Sequence, residues 1–159
     1  MIATTLRSPL ARVGAALAIA VGVAVLWYLV SPLFIRTTLV EQPAPVASAP
    51  LKSGQFNEID AIHKGRGTAS LFRLPDGRLR VQLADFSVTN GPDLHVYLSR
   101  HANPSGDGQA KDGVLLGALK ASEGAFSYET EAPVDPGEVG AVVIHCVRFR
   151  TLFSYATLG

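Results

Sequence analysis

The sequence predicts an all-β domain, a small sandwich or barrel of about seven strands, carried behind one transmembrane helix and a Pro/Ala-rich linker. Three observations predict it. A charge-free apolar run fills residues 13–35, a Pro/Ala/Ser segment follows, and from Gly54 onward short period-two alternations are separated by turn residues. The 159 residues are 48% hydrophobic and 17% charged, and much of the apolar excess lies before residue 36.

The apolar run VGAALAIAVGVAVLWYLVSPLFI is bounded by Arg12 and Arg36. As a helix it is roughly 35 Å long, enough for a hydrocarbon core of about 30 Å. Pro32 is expected to end or kink it in the last turn, and Trp27 and Tyr28 suit a headgroup layer. A cleaved signal peptide is the competing reading. The run exceeds the usual h-region, and the best small-residue site, Ala47-Ser48-Ala49, lies far downstream before Pro50. No cysteine stands directly after the run, which removes a lipoprotein anchor. Arg7 and Arg12 precede it against Arg36 alone beyond it, so residues 1–12 are expected in the cytoplasm. The C-terminal domain is then extracytoplasmic, periplasmic or at the cell surface.

Residues 36–53 read as a linker. Pro43, Pro45 and Pro50 favour extended backbone, as in a stalk. Residues 54–159 form the β domain. In Thr68–Leu74 and Arg78–Leu83 the apolar period is two: Leu79, Val81 and Leu83 point one way, Arg78, Arg80 and Gln82 the other. Pro75-Asp76-Gly77 between them is turn chemistry, so the pair is a hairpin. Gly91-Pro92 breaks the chain before Leu94, Val96 and Leu98, and the polar loop His101–Gly113 follows. Val114–Leu119, Phe126–Thr130, Ala141–Phe149 and Leu152–Leu158 complete the strands. No helical period is visible beyond the anchor.

After residue 53, ten basic side chains face twelve acidic ones, so the outer domain is near −2 and lacks the footprint of nucleic-acid binding. Cys146, the one cysteine, allows no intramolecular disulfide, so the domain stands on its core. It is also the main chemical candidate, either as a redox thiol or as a small buried hydrophobe. Its neighbour His145 projects to the opposite face of a strand, which leaves His63 and His95 as candidate partners across the sheet. No His follows Cys146, the one Met is the initiator, and CxxCH is absent; blue copper, covalent haem and iron–sulfur ligation therefore find no ligand set. Asn103, Asp107 and Asp112 do not match EF-hand spacing. No hydrolase, transferase or metalloenzyme motif is present, so an enzymatic role has no support in the sequence. Any cofactor is unknown. A lone thiol in an oxidising space leaves a disulfide-linked dimer through Cys146 open.

Several runs resemble one family in order along nearly the whole outer domain. They are GQF at Gly54–Phe56, HKGRGTA from His63, LRVQLADFSVTNGPDLHVYLS from Leu79 to Ser99, LGALK at Leu116–Lys120, and VVIHCVRFRTLFSYATL at the end. The resemblance is to the DM-thirteen domain, also called the electron-transfer DM domain. WYLVSPLF and the following VEQP resemble bacterial members with one transmembrane helix. The resemblance implies that Cys146 occupies the family's cysteine position, that His63, Asp93 and Gly91-Pro92 fall on motif positions, and that the role is redox or electron transfer with a partner protein. The DOMON and cytochrome-b-like companions of animal members are missing from this chain. A binding or interaction module with Cys146 as a core residue is therefore the second expectation.

Overall fold

The computed structural model describes residues 9–42 and 49–159. Arg7, Pro43, Pro45, Ala47 and Ser48, used above for orientation, stalk and cleavage, lie outside the described residues. The chain divides into two compact units, one ending at Ile35 and one beginning at Arg36.

The first unit is a single helix, α1 (Pro9–Phe34). Pro9 opens it, a position where a missing N–H costs nothing. Pro32 falls in the final turn, and the helix stops two residues later. Its 26 residues amount to roughly 39 Å. Residues Pro9–Tyr28 are long and apolar enough to cross a membrane and bury nothing within the protein. Trp27 and Tyr28 are exposed near the C-terminal end.

The second unit is a nine-stranded curled sheet, a half-barrel, two strands more than the alternations predict. In chain order the strands are β1 (Thr38–Val40), β2 (Lys52–Glu58), β3 (Gly65–Arg73), β4 (Leu79–Val88), β5 (Leu94–Ser99), β6 (Gly113–Ala118), β7 (Glu123–Glu129), β8 (Ala141–Cys146) and β9 (Thr151–Thr157). Across the sheet the order is β1-β7-β4-β3-β2-β9-β8-β5-β6. All pairs are antiparallel except β1 on β7.

β2 is the seam of the curl. Lys52–Gln55 pair with β3, and Phe56–Glu58 pair with β9. At the crossing, a Cβ on Gly54 would lie 1.9 Å from the Thr157 carbonyl oxygen, so only glycine lets the two backbones approach. The hairpin around Pro75-Asp76-Gly77 forms as the turn chemistry requires, with Arg73 opposite Leu79. Leu79, Val81 and Leu83 are fully buried, and a bulge at Asp85 (φ 49°) resets the strand so that Phe86 and Val88 also face inward. Phe56, Phe86, Phe126 and Tyr128 form an edge-to-face chain with centroid spacings of 5.1, 5.6 and 6.0 Å through the core.

Three differences from the sequence reading have physical causes. The first strand comes from the segment read as linker, and the second starts in its last two residues; Thr37-Thr38-Leu39-Val40 is β-branched and apolar in a stretch whose average is dominated by Pro and Ala. The polar loop contains a short helix, α2 (Gly106–Lys111), whose six residues are too few to reveal a period. β8 ends at Cys146, and Val147–Arg150 form the turn into β9, with Arg150 at φ 53°.

Candidate functional site

At one end of the half-barrel lie the β2–β3 loop (59–64), the β4–β5 loop (89–93), the β8–β9 turn (147–150) and the entry of β1. This rim contains most of the residues singled out by the sequence. Cys146, the last residue of β8, is 0% exposed and belongs to the main apolar core with Val142 and Ile144. Its strand partners are Leu94 on β5 and Thr151 on β9. The Val147 amide donates to the Asp93 carbonyl oxygen at 2.9 Å, closing the strand pair immediately above the sulfur. A disulfide between two copies through this thiol would require that pair to open.

His63 caps the same end. Its Nδ1 is 2.7 Å from Asp60 Oδ2, and its ring meets Phe153 edge-to-face at 4.5 Å. Asp60 also accepts from the Ile62 and His63 amides, 2.7 Å each. The hydrogen bond from the His63 side chain, helped by these two amides, pulls the Asp60 pKa down to about 2. Gly91 packs where a Cβ would meet Leu94 Cδ2 at 2.8 Å and Phe153 Cζ at 2.9 Å. The Gly91-Pro92 pair thus shapes the closure above Leu94. The Asp93 carboxylate lies 3.4 Å from His95 Nδ1.

His95 does not join Cys146. It is the register partner of His145, on the outer face of the sheet. That face holds a second cluster, beneath α2, which the sequence did not announce. His145 is 0% exposed. Its Nε2 is 3.1 Å from Asp107 Oδ1, at an angle that makes no hydrogen bond, and Nδ1 has no hydrogen-bond partner. Asp107 is also held by Lys111 at 2.7 Å and Arg150 at 3.1 Å. Lys111 and then Arg150 lower the Asp107 pKa, against the opposing effect of burial. Burial lowers the pKa of His145, and Asp107 opposes it. Tyr97 is edge-on to His145 with centroids 6.1 Å apart. The spacing of Asp107 from His145, 38 positions along the chain, gave no local signal; only the placement of α2 over β8 brings them together.

Among the described residues, no three His, Cys, Asp or Glu side chains gather closely enough to hold a metal ion.

A family model described as Electron transfer DM13 matches residues 55–158, about two-thirds of the chain. The chain belongs to this family. No curated protein and no solved structure matches it. The DM13 match runs from within β2 to the end of β9, hence over both the rim with Cys146 and the His145 cluster, and leaves α1, β1 and the start of β2 outside. By family this β domain stands with the electron-transfer DM13 modules, and the match names no group in this chain that carries the electron.

Proposed function

We propose that this protein is a membrane-anchored, extracytoplasmic DM13 module of electron transfer that works by presenting its rim to a redox partner, with Cys146 acting as a core residue. The family supplies the electron-transfer half of this reading. The observation that carries the other half is the complete burial of Cys146 within the main apolar core, opposite Leu94 in the strand register. A thiol reacts through its thiolate, which needs solvent or a polarising neighbour, and buried structural cysteines are inert. Val13–Ile35, inside α1 and its following residue, anchors the chain, and the excess of arginine before the span supports a cytoplasmic N-terminus.

The test is native-state thiol labelling of the full chain in detergent or nanodiscs. Cys146 is expected to stay unmodified until denaturant unfolds the β domain. Labelling under native conditions at the rate of a free thiol would return the working role to the sulfur.

A second reading keeps Cys146 as the redox group, reached when the rim opens. What favours it is position: the residue is the last of β8, one step from the exposed turn. Under this reading His63, Asp93 and His95 support the site by holding the rim loops. Cys146→Ala separates the two readings, because it preserves the rim surface while deleting the thiol. Unchanged electron exchange with a partner favours the docking role, and abolished exchange favours the thiol.

A further inference from the structure

On the outer face of the sheet, one irregularity interrupts two neighbouring strands at the same level. On β4, Ala84 and Asp85 stand between the Leu83–Phe126 and Phe86–Gly124 pairs, where β7 supplies Ala125 alone. On β3, Gly67 alone lies between Arg66, opposite Ser87, and Thr68, opposite Ala84. Gly67 is at φ +103°, and a Cβ there would lie 2.6 Å from the Asp85 carbonyl oxygen. Asp85, at φ 49°, carries a side chain in the left-handed region. A bulge re-aims the residues it inserts. Ala69, Leu83 and Phe86 face the core, while Arg66 and Asp85 are both exposed. Strained backbone of this kind gathers at binding sites.

Arg66 and Asp85 line one open cleft of about 710 Å³, together with Gln55, Thr68 and Glu123. Its polar groups divide into used and unused. Glu123 is paired with Arg36 and accepts from Ser87 Oγ at 3.4 Å. Gln55 Nε2 donates to Thr68 Oγ1 at 2.9 Å, and the Gln55 amide oxygen remains an acceptor. Where Arg66 also borders a second cleft of about 220 Å³, the other cation, Lys64, is paired with Glu58 at 3.4 Å. Among the described residues, Arg66 and Asp85 enter no ion pair and no side-chain hydrogen bond, although they sit on adjacent strands. One guanidinium and one carboxylate are left over.

These two groups select a ligand. A guanidinium offers a carboxylate two parallel N–H donors, and a carboxylate accepts from an ammonium. A polyanion such as a nucleotide would meet Asp85 and Glu123 as well, and the aromatic residue at the cleft, Phe86, is 2% exposed and presents no face to stack a base. A metal ion finds no third ligand among the described residues. We infer that this cleft binds a small zwitterion, an α-amino acid or a short peptide, with its carboxylate on Arg66 and its ammonium on Asp85 and the Gln55 oxygen. The site lies on the face of the sheet opposite the core that contains Cys146, and it depends neither on the thiol nor on a partner at the rim.

The test is equilibrium dialysis of the full chain in nanodiscs against radiolabelled L-alanine and L-alanyl-L-alanine, with empty nanodiscs as background. Propionate and ethylamine, which carry one of the two charges each, are the controls. At least one zwitterion is expected to bind one to one and about fivefold or more tighter than either control, and which of the two binds better reports the spacing of the charges. Arg66→Gln and Asp85→Asn should each weaken that binding by about fivefold or more, with the circular dichroism spectrum unchanged. Asparagine tolerates the left-handed backbone at position 85, and Asp85→Gly, free at the same φ, should give the same loss. Three results overturn the site: neither zwitterion retained above the empty nanodiscs, the controls bound as tightly as the zwitterions, or binding that survives the substitutions at both positions.

Discussion

Cys146 and His145 stand side by side on β8, both fully shielded from solvent, and the two faces of the strand bury them in different company. The inner face places Cys146 opposite Leu94, on the same side of β8 as Val142 and Ile144, within the main core. The outer face places the imidazole under α2 with Tyr97, Ala110 and Val143, close to a carboxylate it does not hydrogen-bond. A thiol is nearly an apolar group, and it costs little to bury. An imidazole with two unpartnered nitrogens costs a good deal. The residue that looks reactive in the sequence is thus the comfortable one, and the residue that looks incidental carries the unresolved polarity.

The strongest way to break this comparison is to charge the inner face. Cys146→Asp puts a carboxylate where the surrounding groups are aliphatic, and it should cost about 4 kcal/mol or more, enough to prevent folding. Chemical denaturation with circular dichroism measures it. A folded variant with the wild-type midpoint would mean that water or a partner group reaches the site. Cys146→Ala should cost far less, about 1–2 kcal/mol for the lost contacts and the small cavity. A larger loss would assign the sulfur a role beyond filling space.

On the outer face the expected effect is smaller and local. Asp107→Asn keeps the shape and removes the charge that Lys111 and Arg150 hold. Amides of α2 should exchange with solvent faster, while those of β8 keep their protection. Uniform acceleration across both elements, read by hydrogen–deuterium exchange, would show that the cluster supports the whole sheet and not the helix alone.

How much of this was legible follows from the range of the interactions. The alternation Leu79, Val81, Leu83 and the turn Pro75-Asp76-Gly77 are local, and they were readable because each residue's own chemistry decides its place. The opposite projection of His145 and Cys146 was readable for the same reason. β1 was not, because its pairing partner, Glu123–Ala125, lies more than eighty residues away and its own composition is diluted by the prolines that follow. The Asp107–His145 approach was hidden likewise: a six-residue helix has no period to detect, and its docking is a tertiary event. Cys146 was identified as a candidate, but whether it reaches solvent depends on the closure by Leu94 and Asp93, which no spacing along β8 encodes.

The smallest effect is the most diagnostic of the comparison. His145 is held below the ordinary histidine value of 6.5 by burial, with Asp107 pulling upward and with Lys111 and His95 pushing the same way as burial. The unfolded chain therefore binds a proton more readily than the folded one. Stability from this group is complete above about pH 6.5 and falls as the pH drops from there through the lower native value. Asp60, with its pKa near 2, and Asp107, also lowered, give up their contributions only at more acidic pH, below the ordinary aspartate value of 3.8, so the two windows separate. His145→Leu replaces the ring by an apolar group of similar reach, and should leave stability at pH 8 within about 1 kcal/mol of wild type, because two unsatisfied nitrogens leave with it. The same change should flatten the decline between pH 6.5 and 4.5. Denaturation midpoints across that range decide the matter: a variant that keeps the wild-type slope would place the acid sensitivity on another group and return His145 to the status of ordinary core.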